Sequence, residues 1–484
     1  MAFRVENNYC PPMVVSIRNS LVLFLTIAVS GCFKEAANPI QPGDFVPVHA
    51  RERLTSRPWL RSAAPQLKSL LPESRYSPLL TEDLVLPNGC PMDVHAYFHV
   101  DPDKLDQLLY NYEGLRCTAE ATGPNQTRGL ERIVWSGYEE TWIPINSHLS
   151  LCGEMGWATK NGQVIDSDCI IILPGVLGHN SIRRTKDLAD ALRQRGFHVL
   201  PLELRGHGRT EDRYPDVFYN FSVLETGDLM TVSEWLQAQP HIRRTGLVGF
   251  CWSANQGLLA AWEDGRPAEH VSISPKLAPH MRPRTSARHF EAGVVAFSPV
   301  LRFEEVIEAT YCPQPKWRHP VLAALQETIR QRMIYKNHPN PGGNLRTLID
   351  DEFARSELDY PGAVEDGLDS LRLLPFRDLD DGHKLVNARI PVLIVHAAND
   401  PLTPPQAVAD LMARTPNPNV SAIILPGGGH IGFTVYARSY YFSLIMNFFD
   451  PKTGPVAVSQ MQPLPGAISG GQKRRPQDVS PGAD

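Results

Sequence analysis

The sequence has no excess of basic residues, since its 484 residues include 47 Lys and Arg against 52 Asp and Glu, a formal net charge of −5. Nucleic-acid-binding domains usually carry a basic patch, so this balance argues against a nucleic-acid partner. Hydrophobic residues make up 42% of the chain and charged residues 20%. This composition is typical of a globular protein with a sizeable core and excludes disorder as the main state.

The sequence also has no C-x-x-C pair, and none of its eight cysteines lies at metal-ligand spacing from a histidine. We therefore expect no metal site, no redox motif and no cofactor. Cys10 and Cys32 lie within residues 1–32, which are predicted to be a signal peptide, and Cys251 belongs to a separate motif. No disulfide pairing can be deduced among the other five, an odd number: Cys90, Cys117, Cys152, Cys169 and Cys312.

A long apolar run is missing near the start of the chain, where the longest, Leu21–Val29, is far shorter than the roughly 20 residues that span a bilayer. Small residues follow it, which is typical of a secretory signal peptide. Val29-Ser30-Gly31-Cys32 resembles the bacterial lipobox, which implies lipidation of Cys32. We expect an exported, membrane-anchored lipoprotein of a bacterial cell envelope, the alternative being an amino-terminal membrane anchor without lipid.

Proline and glycine are abundant, with 43 and 35 residues, and are concentrated in several loops and at the carboxyl-terminal end. Residues 451–484 combine them with no apolar periodicity, which predicts a disordered tail. We divide the chain into a signal peptide (1–32), a linker (33–48), an amino-terminal extension without a catalytic motif (49–138), a large α/β domain (139–450) and the tail (451–484). A helix is predicted in the extension around Asp103–Tyr110.

Six short apolar runs alternate with helical stretches in the large domain. Runs of this kind predict a mostly parallel sheet flanked by helices, with antiparallel strands before it within residues 141–157. Ligands bind beyond the carboxyl ends of such strands, so the residues that follow each run are candidates for a site. The runs are 169–173, 198–204, 246–250, 293–297, 392–396 and 422–425.

The third run is followed by Gly249-Phe250-Cys251-Trp252-Ser253 and then by a helical stretch. This is the layout of a nucleophile elbow, G-x-S-x-G, with Cys251 at the position of the nucleophile. Gly249 and Ser253 are the small neighbours that this tight turn requires. Ser253 is the alternative nucleophile, but Asn255 would then be a bulky neighbour. The start of the following helix and a nearby histidine would both favour a thiolate at Cys251.

An acid and a histidine follow the last two runs. Asp400 comes after the fifth run, and His430 lies in the glycine-rich loop after the sixth. The order Cys251, Asp400, His430 matches the chain order of the triad in α/β-hydrolases. In this interpretation Asp400 holds the imidazole in one tautomer, and His430 takes the thiol proton and returns a proton to the leaving group.

The loop after the first run supplies a candidate oxyanion hole. Its glycines allow the backbone N–H of Val176 to face the same point as the N–H of Trp252. His179, in the same loop, is predicted to line the loop or pocket and not to act as a base. His207 follows the second run in Arg205-Gly206-His207-Gly208, which we interpret as a tight turn closing the sheet edge.

These motifs together resemble the YheT-like group of α/β-hydrolases, which is related to the abhydrolase-domain esterases. That group has an L-x-G-x-x-G loop, an R-G-H-G turn, a G-F-S-L-G-G-N elbow, an A-x-D-D-P acid motif and a G-G-H-x-G-F histidine loop. The resemblance covers residues 139–449 and departs from the group at Cys251, Trp252, Ser253 and Ala254. The matching residues are Gly249, Phe250, Asn255, Asp400, Pro401, Gly428, Gly429, His430, Gly432 and Phe433.

The resemblance implies an α/β-hydrolase fold with a cap insertion at about residues 298–387. A cysteine at the elbow also resembles dienelactone hydrolases, which use a thiol on this fold. We therefore expect a Cys-His-Asp hydrolase of carboxylic ester, thioester or lactone bonds that takes a small-molecule or lipid acyl substrate. The alternatives are a catalytically inactive binding protein of the envelope and an acyltransferase with the same triad; the oligomeric state is left open.

Overall fold

The computed structural model describes most of the large domain and part of the extension before it. The described residues are 133–266, 273–283, 287–311, 320–373, 384–403, 405–415, 417–425, 427–432, 434 and 438–450, with Gly114, Cys117, Thr118 and Ala121. The predicted signal peptide with Cys32, the linker, the helix at 103–110 and the tail lie outside them. No helix in the described ranges is long and apolar enough to cross a membrane.

Ten strands in the described part of the chain form two sheets. The bounds are β1 Glu139–Pro144, β2 Ser150–Met155, β3 Thr159–Lys160, β4 Gln163–Val164, β5 Ser167–Leu173, β6 His198–Glu203, β7 Ile242–Phe250, β8 Gly293–Phe297, β9 Val392–Ala397 and β10 Val420–Leu425. Strands β3 and β4 make a small antiparallel hairpin. The other eight form one sheet in the order β1-β2-β6-β5-β7-β8-β9-β10.

The large sheet is antiparallel at one edge and parallel elsewhere. Strand β2 runs antiparallel to both β1 and β6, whereas the neighbours from β6 to β10 are all parallel. The six predicted apolar runs are therefore the six parallel strands. Because these strands are parallel, their carboxyl ends meet at one edge of the sheet and bring distant loops together.

Helices cover both faces of the sheet. They are α1 Arg183–Gln194, α2 Gly208–Arg213, α3 Val223–Gln237, α4 Trp252–Gly265, α5 Phe303–Ala309, α6 Pro320–Tyr335, α7 Leu345–Ala354, α8 Ala363–Leu371, α9 Pro405–Arg414 and α10 Arg438–Phe449. Short 3₁₀ turns lie at Ala278–His280 and Lys384–Asn387.

The central strands are mostly apolar because both of their faces are buried. In β5, Ile171 packs into the core with α3 and α4, whereas Ile170 and Ile172 pack into a second core with α1 and α10. Successive side chains of a strand point to opposite faces, so a strand covered on both sides has few positions for a polar residue.

The chain between β8 and β9 holds the predicted cap insertion. Its described residues form helices α5 to α8, and α6 contains the predicted helical pattern at residues 321–333. Arg332 of α6 is buried and donates hydrogen bonds to the Gly206 carbonyl oxygen (2.9 Å), to Glu211 (2.7 Å) and to Glu352 of α7 (2.6 and 3.0 Å). Glu352 also accepts a hydrogen bond from the Tyr219 amide at 2.8 Å. These contacts attach the cap to the loop that follows β6.

Candidate active site

Cys251 lies at a sharp turn between a strand and a helix. It is the single residue between β7 and α4, and its backbone has φ 57° and ψ −123°. A non-glycine residue rarely adopts a positive φ, and such strained positions are concentrated at functional sites. The Cys251 side chain is half-buried.

The residues on either side explain why this turn can form. An added Cβ at Gly249 would collide with the carbonyl oxygen of Ser253, so the first position tolerates glycine alone. Ser253 is buried in the first turn of α4, and its hydroxyl has no partner among the described residues. The elbow conformation therefore falls on Cys251 and not on the alternative nucleophile, Ser253.

Asp400 and His430 meet at the ends of neighbouring strands. Nδ1 of His430 donates to Oδ2 of Asp400 at 2.8 Å, and both side chains are buried. Oδ1 of Asp400 accepts the amides of Leu402 (2.9 Å) and Thr403 (3.0 Å), and the Thr403 hydroxyl donates to Oδ2 at 2.8 Å. Burial opposes the charge, but His430 and these hydrogen bonds lower the pKa of Asp400. Asp400 is thus held as a carboxylate.

The electrostatics of the site keep a proton on His430. Burial disfavours the imidazolium, but the Asp400 carboxylate and the neighbouring Cys251 sulfur outweigh it and raise the pKa of His430 to about 10. The second ring nitrogen, Nε2, is buried and has no hydrogen-bond partner in the described part of the chain. A protonated Nε2 is therefore available to the sulfur or to a bound molecule.

The predicted oxyanion loop lies against the elbow. An added Cβ at Gly175 would lie 3.4 Å from the Cβ of Cys251, which measures how closely this loop passes the thiol. Among the described residues, the amides of Val176 and Trp252 donate to no protein acceptor, although both flank this contact. Two unpaired donors beside a nucleophile are the components of an oxyanion hole.

His207 has a role that sequence reasoning missed. Its Nδ1 pairs with the carbonyl oxygen of Arg205 at 2.8 Å, and its Nε2 accepts the amide of Leu177 at 3.0 Å. Burial and the Arg332 charge lower the pKa of His207 to about 3, which keeps the ring neutral. His207 therefore fixes the backbone one residue beyond Val176.

The turn that contains His207 does not close a sheet edge, contrary to the sequence-based expectation, because β6 lies between β2 and β5. His179 is half-buried in the oxyanion loop, and its Nδ1 accepts the amide of Ser181 at 3.2 Å. This contact is local to the loop. Asn180 anchors the loop further, since its amide donates to Glu203 at 2.9 Å.

Two other features of the described residues lie apart from the three predicted catalytic side chains. A cavity of about 290 Å³ is lined by Arg205, Asp228 and Arg282, among others, but by no member of the predicted triad, so we assign no substrate to it. Within the described ranges, no group of three or more His, Cys, Asp or Glu residues could hold a metal ion. Among the described cysteines, Cys152, Cys169 and Cys251 are free thiols.

Comparison with known proteins identifies the family. Residues 170–438 match the model of the alpha/beta hydrolase family, which is more than half of the chain. The protein therefore belongs to the α/β-hydrolase family, and the predicted α/β-hydrolase fold with its mostly parallel sheet is confirmed.

Solved structures with a similar fold include an esterase of Pyrococcus furiosus, with 16% identity and a TM-score of 0.43 over 67% of this chain and 97% of that one. A lipase in an open form has 17% identity and a TM-score of 0.40 over 65% of this chain and 98% of its own. An acylaminoacyl peptidase of Pyrococcus horikoshii has 15% identity and a TM-score of 0.39, with coverage of 67% and 43%. No curated protein matches the chain.

Proposed function

We propose that the protein hydrolyses carboxylic ester, thioester or lactone bonds, with Cys251 as nucleophile, His430 as acid and base, and Asp400 as the group that orients His430. The observation that carries the proposal is the positive φ of Cys251 at the strand–helix turn, beside a histidine that is already bound to a buried carboxylate. A binding protein has no need of a strained residue at this point.

The first half of the reaction forms an acyl-enzyme. The Cys251 sulfur attacks the carbonyl carbon as a thiolate while its proton resides on His430, in keeping with the raised pKa of that ring. The negative charge that develops on the carbonyl oxygen is stabilised by the amides of Val176 and Trp252. The carbon–oxygen bond, or carbon–sulfur bond in a thioester, then breaks, and His430 gives its proton to the leaving group.

The second half releases the acid. A water molecule attacks the carbonyl carbon of the thioester between the acyl group and Cys251, and His430 accepts a proton from that water. The carbon–sulfur bond breaks, and Cys251 leaves as a thiolate. Asp400 keeps Nδ1–H of His430 directed toward itself throughout, so Nε2 alone exchanges protons.

The finer resemblance to the YheT-like group is part of this proposal and rests on the motifs around Asp400 and His430. A small-molecule or lipid acyl substrate follows from the same resemblance. The cap helices α5 to α8 occupy the position between β8 and β9 from which an insertion would bound the acyl pocket. The identity of the acyl group requires a substrate screen.

The test uses the full chain in detergent with p-nitrophenyl esters of increasing acyl length. We expect release of p-nitrophenol by the wild type and by Ser253→Ala, and its loss in Cys251→Ala. Mass spectrometry of the quenched reaction should show the added acyl mass on the peptide containing Cys251.

Ser253→Ala is the matched control because Ser253 is two residues away and buried in the same elbow. Activity that survives in Cys251→Ala would disprove the proposed nucleophile. An inactive wild type that binds esters without forming an acyl-enzyme would support a binding protein. Turnover that requires an added alcohol or amine would instead support an acyltransferase.

We also propose that the protein is exported and anchored to the cell envelope through a lipid on Cys32, on the strength of the lipobox-like Val29-Ser30-Gly31-Cys32. Expression in a bacterial host with radiolabelled palmitate should label the wild type and not Cys32→Ser. Equal labelling of the two, or recovery of both in the soluble fraction, would refute lipid anchoring. Membrane recovery of both without label would favour the alternative anchor.

A further inference from the structure

The amino-terminal extension contributes a buried helical face to the catalytic end of the domain. Gly114, Cys117, Thr118 and Ala121 of this extension have helical backbone. They follow the spacing i, i+3, i+4 and i+7, which places them on one face of a helix. The side chains of Cys117, Thr118 and Ala121 are buried. This face therefore packs against the rest of the protein.

Thr118 binds the backbone of the predicted catalytic histidine. The amide of His430 donates to the Thr118 hydroxyl oxygen at 2.7 Å, and that hydroxyl donates to the Gly114 carbonyl oxygen at 2.7 Å. Thr118 is fully buried. A buried amide without an acceptor is costly, so this hydroxyl determines where the backbone of His430 can lie.

The loop around His430 fits against the same helical face at two glycines. An added Cβ at Gly429 would collide with the Gly114 carbonyl oxygen, and one at Gly432 would lie 2.8 Å from Cβ of Cys117. The amide of Gly429 is bound by the Asn399 side chain at 2.8 Å, next to Asp400. The loop is thus held from the extension on one side and from the acid loop on the other.

The far end of the helical face is fixed as well. Arg184, in α1 just beyond the oxyanion loop, donates to the Ala121 carbonyl oxygen at 3.0 Å, and its guanidinium lies 5.2 Å from the ring centroid of Phe250, the residue before Cys251. The extension therefore contacts the histidine loop directly, and Arg184 links its Ala121 carbonyl to the elbow strand.

We infer that Thr118 is a positioning residue of the active site, which holds the His430 loop so that its imidazole meets both Asp400 and the Cys251 sulfur. The inference rests on the proposed function. The amino-terminal extension would then contribute to catalysis, because Thr118 belongs to the extension and its hydroxyl binds His430, 312 positions further along the chain. Thr118 acts through the backbone of His430 and need not contact the substrate.

The test compares Thr118→Val, which keeps the shape of the side chain and removes the hydroxyl, with Thr118→Ser, which keeps the hydroxyl. Thr328→Val is the matched control, since Thr328 is exposed on α6 and donates to the carbonyl oxygen four residues earlier in the same way. We measure kcat and KM on a p-nitrophenyl ester and, independently of turnover, the rate of alkylation of Cys251 by iodoacetamide from pH 5 to pH 10.

In Thr118→Val we expect kcat to fall by up to about 100-fold with little change in KM, because a small displacement of a catalytic group has an effect of that order. The alkylation rate of Cys251 should also fall at neutral pH, and its pH profile should change. Thr118→Ser and Thr328→Val should match the wild type in both measurements.

Unchanged kcat and alkylation in folded Thr118→Val would overturn the inference, as would a loss in Thr118→Ser as large as that in Thr118→Val. If Thr118→Val does not fold, Thr118→Ala replaces it, and rescue by serine relative to alanine decides the question. Failure of the proposed function has a different result: the wild type would have no esterase activity, while the alkylation assay would still report whether Thr118 controls the pairing of His430 with Cys251.

Discussion

The Asp400 carboxylate and the His430 imidazole form a buried hydrogen bond of 2.8 Å between the ends of the two last strands of the sheet. Because Asp400 occupies Nδ1, only Nε2 of His430 remains for chemistry. The ring nitrogen of His430 that can exchange a proton is thus determined before any other molecule binds. The predictions below test this arrangement and the elements that support it.

Removal of the Asp400 charge should abolish most of the activity while preserving the fold. We expect Asp400→Asn to lower kcat by about 10³- to 10⁴-fold, because the amide no longer stabilises the protonated ring or selects its tautomer. Steady-state kinetics on the same p-nitrophenyl ester measures the effect. Asp369→Asn, an exposed position on α8, is the control and should retain full activity. A loss of less than tenfold in Asp400→Asn would contradict the proposed triad.

The raised pKa of His430 predicts a pH-dependent contribution to stability. The folded pKa of about 10 exceeds the ordinary 6.5, so the protonated ring stabilises the folded state fully below pH 6.5, and this contribution is lost as the pH rises through about 10. The difference in the free energy of unfolding between wild type and His430→Asn should therefore shrink from pH 6 to pH 10. Urea titrations measure it, with the exposed His148→Asn as control. A constant difference would show that the ring is not charged at neutral pH.

The elbow should not tolerate a methyl group at Gly249. Gly249→Ala should lower both the melting temperature and the activity, since the added Cβ would collide with the Ser253 carbonyl oxygen. Gly342→Ala is the control, because its Cβ would lie 3.7 Å from the nearest atom. Thermal unfolding and the ester assay give the two measurements. Wild-type values for Gly249→Ala would mean that the strand–helix turn differs from the one described above.

Loss of the His207 ring should weaken the oxyanion loop without removing a group that reacts. We expect His207→Ala to lower kcat by about 10-fold or more, less than the 10²- to 10³-fold typical of a lost oxyanion donor, because Val176 keeps its amide. The acidic limb of the pH–rate profile should stay in place, since His207 is neutral above its lowered pKa of about 3. A shift of that limb would identify His207 as a titrating catalytic group instead.

The positions of the central strands along the chain and their mostly parallel arrangement could be predicted from the sequence, because each strand is a short apolar run that alternates with helices. Cys251, Asp400 and His430 could be selected because each follows such a run, and parallel strands bring their carboxyl ends together. The elbow conformation at Cys251 followed from its small neighbours, Gly249 and Ser253. In each of these cases, local residue types were sufficient.

The contacts that hold the loops could not be predicted in the same way. Thr118 and His430 are separated by 312 positions, and a threonine in a helical face has no feature that marks it as an acceptor for a distant amide. His207 was visible in the sequence, but its partner, the Leu177 amide, belongs to the backbone and has no side-chain signature. Such pairs depend on how the loops pack, which the sequence pattern does not specify.

The buried position of Arg332 limits how the cap can move. If α6 separated from the loop after β6, this guanidinium would lose its hydrogen bonds to the Gly206 carbonyl oxygen and to Glu211. The charged groups would then be exposed to water or left buried without a partner. Loss of one partner from a buried charge pair costs about 3–5 kcal/mol, because the other charge is left buried and uncompensated. We therefore expect α6 and the loop after β6 to stay together, so that any movement of the predicted cap occurs away from this contact.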